Sequence, residues 1–518
     1  MYLTQGLHRM LQTQPDALAT VFRGRRQSYG QLAGRVARLA AALQGLGMAT
    51  GDRVSMLGLN SDRFLEYMLA TWWGGGVLNP VNIRWSVPEI VYSLDDCDTR
   101  ILLVDDNFLH MADGIAAAAK VRPVLIHAGD GPAPAGMLAM DQLIRDAAPI
   151  DDVFRGGNDL AAIMYTGGTT GRPKGVMQSH LNLWSSAVGR MAEHAIAPGS
   201  SVLHVAPMFH TACMARVISQ VIVGLPHVFV PAFDALDVLR TIESEKVFDI
   251  LLVPTMLQAL IMHPDFTRYD ISSLKRLTYG ASPIAAPVLE RALALMPGIE
   301  FQHGYGMTET SPVISINGVE NHSAEGIANG RVRSAGRAGL CVTVRVVDED
   351  GNEVPRGTVG EVIVRGPNVM LGYWNRPEET AEALRDGWMH TGDGAYMDED
   401  GYLFIVDRIK DMIVSGGENV YSAEVESAVA GHPAVAACAV IGVPSDKWGE
   451  AVHAVVVLKP GCEAAEAEII EHCRQRIAGY KCPKSVEFTT ALPLSGAGKI
   501  LKRDLREPYW KGKARAVN

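Results

Sequence analysis

Strand-like and helix-like patterns alternate along this chain, and that alternation limits its fold more than any other feature. Phe248–Val253 is a mostly apolar run of strand length, after which Pro254 and Thr255 open a helical stretch reaching Met262. Leu274–Thr278 is again strand-like, Tyr279–Pro283 a loop, and Ala285–Met296 a helix. Nearer the start, Ser28–Leu46 has the period of an amphipathic helix, Arg53–Leu57 of a short strand and Arg63–Trp73 of a second helix. Strands followed regularly by helices build α/β architecture with largely parallel sheets, here a large N-terminal domain of doubly wound sheets. In such sheets ligands bind at the loops that follow the C-terminal ends of strands.

The pattern changes near Gly339. The segment CVTVRVVDEDGNEVPRGTVGEVIVRG alternates as an antiparallel strand, turns at Asp350-Gly351 and returns. A second Asp-Gly turn at Asp400-Gly401 precedes another strand. These predict a small β-rich subdomain at about 335–408 within an N-terminal domain of residues 1–408. Residues 409–518 then form a small α+β unit, with the boundary near Arg408–Asp411. The two DEDG segments place glycine fourth and put Val359 or Ile409 at the twelfth position, so they read as tight turns and not as calcium loops.

Composition removes several function classes. With 47 Lys+Arg against 57 Asp+Glu the net charge is −10, which argues against general nucleic-acid binding. The seven cysteines are scattered, without Cys-x-x-Cys, so neither a disulfide framework nor a zinc site is expected, and a reducing cytoplasm fits. The first residues, MYLTQGLHRMLQTQPD, lack the apolar run of a signal peptide, and no uninterrupted stretch suits a membrane span. The apolar face of Val36–Leu46 suits either the core or a homodimer interface.

The sharpest chemistry lies in Tyr165-Thr-Gly-Gly-Thr-Thr-Gly-Arg-Pro-Lys-Gly175. Four glycines, three threonines and a lysine fall within these eleven residues, directly after the apolar strand Leu160–Met164. Glycines let backbone N–H groups wrap an anion, threonine hydroxyls add donors and Lys174 adds charge. The order is not that of a Walker A loop.

This segment resembles the signature loop of the adenylate-forming superfamily, which comprises acyl-CoA synthetases, luciferases and peptide-synthetase adenylation domains. Gly167 stands where that family usually has serine. Further segments follow in the family's order: Gly304-Tyr-Gly-Met-Thr-Glu-Thr310, Tyr279-Gly-Ala-Ser-Pro283, Trp388-Met-His-Thr-Gly-Asp393, Asp407-Arg408 and Pro493-Leu-Ser-Gly-Ala-Gly-Lys-Ile500. The resemblance implies an acyl-CoA or aryl-CoA ligase using ATP, Mg²⁺ and coenzyme A. It implies an ATP/AMP site of Thr166, Gly167, Gly168, Thr169, Thr170, Gly171, Lys174, Gly280, Ala281, Ser282, Gly304, Tyr305, Gly306, Met307, Thr308, Asp393, Arg408 and Lys499. Tyr305 would stack on adenine, Thr308 would contact the α-phosphate, and Asp393 and Arg408 would hold the ribose. Glu309 would ligate the metal. Lys499 would bridge the incoming carboxylate and the α-phosphate, with Thr166, Glu309 and His210 completing the catalytic set.

By the same resemblance Lys410 is a hinge about which the small domain swings, bringing Ser415, Gly416, Gly417 and Glu418 to a pantetheine tunnel. Arg84, Trp448, Tyr480 and Lys481 are the other candidates for coenzyme A; relatives often carry a basic residue where this chain has Cys482, and Lys481 and Lys484 are possible substitutes. The final segment from Lys499 carries seven basic residues against two acidic ones, and its distal half fits a solvated tail. The acyl pocket is expected among His210, Thr211, Met214, Val230, Ala281, Gly306, Met307 and Val313. No Asp lies between Ser201 and Phe233 to pair an amino group, and no cation is evident to grip a second carboxylate. An apolar monocarboxylic acid, either medium-chain aliphatic or aryl/arylpropenoic, is therefore expected. Two alternatives are an acyl-AMP-forming enzyme with another acceptor and an inactive nucleotide-binding protein.

Overall fold

The computed structural model describes the 518-residue chain apart from residues 167–172, 194–198, 283, 417, 496–498 and 512–518, and Lys410 in its backbone only. The elements that position the site are, in chain order, strand β1 (Leu160–Thr166), strand β2 (Lys174–Ser179), helix α1 (His180–Glu193) and helix α2 (Thr211–Val223). Strands β3 (Asp249–Leu252), β4 (Arg276–Gly280), β5 (Glu300–Gly306) and β6 (Val313–Asn317) follow. Last come β7 (Trp388–Met397) and β8 (Leu403–Arg408).

Two large sheets carry most of these. In an eight-stranded sheet, β1 lies between β2 and the strand Val77–Pro80; β2 pairs antiparallel with β1 and with the edge strand Gly372–Tyr373, and the other pairs are parallel, as the β/α alternation requires. A nine-stranded sheet has parallel β3, β4 and β5 at its centre and antiparallel strands at both edges. The β-rich subdomain is a five-stranded antiparallel sheet containing β7 and β8. A fourth sheet starts at Ile413 and includes the long hairpin Val435–Ser445 with Gly449–Leu458.

Local chemistry explains the element starts. Ser28 caps the helix Tyr29–Gly45: its hydroxyl accepts from Gln31 N, and the Gln31 side chain accepts from Ser28 N. Val36, Leu39, Ala40 and Leu43 of that helix are wholly buried, so this apolar face belongs to the core. The Asp-Gly turns close because Asp348 accepts from the backbone N–H of Asp350 and Asn352, and Asp398 from those of Asp400 and Tyr402.

One expectation shifts. The strand expected at Leu274–Thr278 runs over Arg276–Gly280, because parallel pairing with β3 and β5 carries it past its apolar stretch as far as the Gly280–Gly304 pair. Tyr279 and Gly280 are thus strand residues, and the loop starts at Ala281. The proximal half of the basic C-terminal segment is helical, while residues 512–518 of its distal half lie outside the described residues. In the helix Lys502–Trp510, Lys502 pairs with Glu426, Arg506 with Asp411, and the Trp510 indole donates to Gly442 O.

Candidate active site

The glycine-rich loop joins two antiparallel strands, with Thr166 on β1 paired to Lys174 on β2. Gly167, Gly168, Thr169, Thr170 and Gly171 lie outside the described residues. The frame around them is tight: Tyr165 donates to Asp96 Oδ2 at 2.6 Å, and a Cβ on Gly175 would come within 2.7 Å of Ile163 Cγ2. The Lys174 ammonium sits 5.0 Å from the centroid of the Tyr373 ring, a cation–π contact.

The C-terminal ends of β4 and β5 carry the next group of candidates. Gly280 and Gly304 are register partners, and a Cβ on Gly280 would lie 2.2 Å from Gly304 O. At Gly306 a Cβ would lie 1.6 Å from Pro312 O. Both positions need glycine for close backbone approach. Ala281 follows in the left-handed region at φ 69°, with Ser282 half-buried beside it. Met307 N donates to Thr310 Oγ1, and Gln178 donates to Thr308 O at 2.6 Å.

β7 and β8 supply the next group. Asp393 and Arg408 are cross-strand partners and form an ion pair at 2.9 Å, while the Tyr305 hydroxyl donates to the other Asp393 oxygen at 2.7 Å. The Asp393 charge raises the Arg408 pKa further. Burial, reinforced by Asp393, pushes the Tyr305 phenol far above its ordinary range, so it stays a donor. Glu309 is buried, and its Oε1 accepts from the Tyr373 hydroxyl at 2.9 Å. Its Oε2 has no hydrogen-bond partner among the described residues. A hard carboxylate oxygen left free next to a phosphate cradle fits a Mg²⁺ ligand.

Lys499 reaches this group from the other end of the chain. Its turn is closed by Ser495, whose N–H donates to Lys499 O and whose hydroxyl accepts from Lys499 N. Burial lowers its pKa and the Arg408 charge lowers it further, while Asp393 and Glu309 oppose both. His210 senses the same ammonium: burial first, then Lys499, brings its pKa down to about 4, leaving the imidazole neutral. Lys499, Arg408, Asp393, Glu309 and His210 therefore share one electrostatic environment.

The acyl-pocket candidates divide. His210 is the N-cap of α2, and Thr211 and Met214 follow it into buried positions, the Thr211 hydroxyl without a partner. Val313 N lies 3.5 Å from Ser186 Oγ on α1, and Met307 is half-buried. Val230 is a correction. It packs with Leu203, Val205 and Val228 on the opposite face of the nine-stranded sheet, whereas Phe229 packs on the Met214 side. Strand side chains alternate, so adjacent valine and phenylalanine cannot line one pocket.

The coenzyme A candidates are more scattered. Ser415 is buried in its strand and paired with Glu418 and Gly449. Gly416 has φ 66°, its N–H donates to Trp448 O, and a Cβ there would strike the Trp448 ring at 2.8 Å. Gly417 lies outside the described residues. Arg84 and Glu418 are exposed, as are Trp448 at 40 % and Tyr480 at 44 %. Lys481 is held by both oxygens of Glu424 at 2.8 Å, and Lys484 donates to Gly479 O. Neither lysine is an uncommitted replacement for a basic residue at buried Cys482.

Tyr373, Asp96 and Gln178 escaped the sequence reading. Each acts through a contact between distant segments, and neither spacing nor residue type marks them out.

Comparisons with known proteins agree along the whole chain. A family model described as AMP-binding enzyme matches residues 7–374, and one described as AMP-binding enzyme C-terminal domain matches residues 424–499. A feruloyl-CoA synthase of Amycolatopsis sp is 42% identical over 496 residues, covering 96% of each chain. A medium/long-chain-fatty-acid–CoA ligase of Mycobacterium tuberculosis is 37% identical over 502 residues, covering 94% of this chain and 86% of that one. The crystal structure of ATP-bound MatB from Rhodopseudomonas palustris superposes with a TM-score of 0.89 at 33% identity, covering 99% of both chains.

Proposed function

The chain belongs to the AMP-binding enzyme family, and from that premise we propose that it is an ATP-dependent carboxylic acid–CoA ligase acting on an acid with an apolar body, aryl or medium-chain. The observation that carries this reading is the gathering of Lys499 with Asp393, Arg408, Glu309 and His210 in one buried site.

In the first half-reaction a carboxylate oxygen attacks the α-phosphorus of ATP. A P–O bond forms, the bond to pyrophosphate breaks, and an acyl-adenylate remains. The barrier is electrostatic, because an anion approaches a polyanion. Asp393 accepts the ribose hydroxyls, with Arg408 and Tyr305 fixing its orientation. Lys499 lies between the carboxylate and the α-phosphate and offsets the charge that builds between them. Glu309 holds Mg²⁺, which neutralises phosphate charge when bound. The neutral imidazole of His210 borders the acyl group without adding charge. In the second half-reaction the thiol sulfur of coenzyme A attacks the acyl carbon and AMP departs with the electron pair.

We read residues 1–408 and 409–518 as two domains hinged at Lys410, so that the strand carrying Ser415 and Gly416 replaces the Lys499 loop for the second step. A cytoplasmic setting is supported by seven cysteines that are all free thiols.

The test is pyrophosphate release from ATP across short, medium and long fatty acids, benzoates and cinnamates, each with and without coenzyme A. CoA-dependent turnover on one acid class is expected, and Lys499→Ala should lower adenylation by at least roughly 10²–10³-fold. Release that ignores coenzyme A would replace this reading with an acyl-AMP ligase using another acceptor.

A further inference from the structure

Helices α1 and α2 cover one face of the nine-stranded sheet and bring Arg190 and Arg216 to the starts of β3 and β4, where Arg276 is the first residue of β4. Arg216 on α2 is paired with Asp249 and donates to Thr278 Oγ1. Arg276 is paired with Glu300 at 2.9 Å. Arg190 on α1 has no such partner: its Nε and Nη2 are buried and make no hydrogen bond. Burial and the neighbouring Arg216 charge press its pKa down to about 9, against the pull of Asp249. Among the described residues three guanidinium groups thus share two carboxylates, and the uncompensated one is half-buried with two of its nitrogens closed off from solvent, an arrangement costly to keep unless something else satisfies it.

The location ties Arg190 to the acyl pocket. Ser186 and Arg190 lie one turn apart on the same face of α1, and Ser186 Oγ meets Val313 N. The Ser219 hydroxyl reaches Ala187 O at 3.4 Å, and Arg190 feels the Arg216 charge, so α1 and α2 run antiparallel with Arg190 opposite Arg216. Arg216 lies six residues beyond His210 on α2. At 1.5 Å per residue that is about 9 Å from the end of the pocket next to Lys499. Between the two ends, Leu251 and Thr278 stay half-buried on central strands, whereas Ile250 and Leu277 on the other face are fully closed. The face between His210 and Arg190 is therefore less tightly closed than the opposite one.

We propose that Arg190 ends the acyl pocket and donates hydrogen bonds to an oxygen carried at the far end of the acyl group. The substrate class becomes an acid with an apolar body and an oxygen-bearing tip, whether a ring hydroxyl or a chain-end hydroxyl. This inference rests on the ligase reading, because it is the activated carboxylate that fixes the near end at Lys499.

The test compares two matched pairs, 4-hydroxycinnamate with 4-methylcinnamate and 8-hydroxyoctanoate with nonanoate, in the full-length enzyme. Each acid is measured by kcat/KM for AMP formation and, independently of turnover, by calorimetric binding. The oxygen-tipped member of at least one pair should be preferred by roughly 10- to 100-fold, the range for a hydrogen bond to a charged group. The pair that shows it identifies the body as ring or chain. Arg190→Met should abolish the preference and Arg190→Lys should retain part of it; if the Met variant fails to fold, Arg190→Gln is read instead. No preference in the wild type, or a preference that survives in Arg190→Met, overturns the proposal, as does an equal loss on all four acids. A preference in binding that depends on Arg190, without any thioester formed, would keep the subsite and refute the ligase.

Discussion

Among single residues, Tyr373 does the most that the motifs leave unspoken. Its hydroxyl holds one oxygen of Glu309, and its ring lies under the Lys174 ammonium, so one side chain orients the proposed metal ligand and the proposed phosphate-binding cation together. Burial and the adjacent Glu309 raise the phenol pKa, which keeps it protonated and donating. Tyr373→Phe keeps the ring and removes only the donor. The Mg²⁺ concentration for half-maximal adenylation should rise about 10-fold, as for lost outer partners of a metal ligand. Mn²⁺ binding to the enzyme–ATP complex, followed by its paramagnetic signal, should weaken in step. An unchanged Mn²⁺ affinity would leave Tyr373 with a packing role alone. Glu309, Asp393, Arg408 and Lys499 were legible in the sequence because each sits in a short motif. Tyr373 was not, because its role comes from strand pairing: Gly372–Tyr373 pairs with β2 and so reaches across from a segment about 200 residues away.

At the level of elements, the site depends on backbones that approach more closely than side chains permit. β4 and β5 meet at Gly280 and Gly304, where a methyl group would overlap a carbonyl oxygen on the neighbouring strand. Gly280→Ala should part the two strand ends just where Ala281 and Tyr305 are proposed to border the nucleotide. ATP affinity should fall at least 10-fold with a lower melting temperature, whereas Gly34→Ala, which meets nothing within 4 Å on its helix, should leave both near wild type. Equal ATP affinity in the two variants would contradict this account. The β/α alternation, the capping box at Ser28 and the Asp-Gly turns were legible because their causes are local. Val230 was misjudged, and Arg190 passed over, for the complementary reason. Which face Val230 takes depends on strand alternation in a short run, and Arg190 carries no motif. Only the packing of α1 on α2 shows that it lies beside Arg216 with no acid among the described residues left to pair with.

Taken whole, the molecule couples its stability to neutral histidines, and the proposed hinge would couple its two half-reactions. His180, His210 and His303 have pKa values brought down by burial to about 4 and His227 to about 3, with His204 also well below its ordinary value. In the unfolded chain these groups bind protons near pH 6.5. The unfolded state therefore takes up more protons as pH falls, and the stability present above about pH 6.5 is lost progressively toward pH 4. Urea midpoints measured across that window should decline steadily on acidification; a flat profile would mean these imidazoles are not neutral in the fold. The hinge is tested at Lys410, the middle residue of the single helical turn Ile409–Asp411 between β8 and the sheet that begins at Ile413. In the conformation described here Lys499 feels the charges of Asp393 and Glu309, the arrangement proposed for adenylation. Proline fixes φ near −65°, which suits one helical turn and resists the backbone rotation needed to exchange the two faces. Lys410→Pro should therefore retain adenylate formation, measured as pyrophosphate released in a single turnover, and should block transfer to coenzyme A. If both half-reactions proceed at wild-type rates, the exchange of faces does not turn on this residue; loss of both would mean that the turn is needed to seat Lys499.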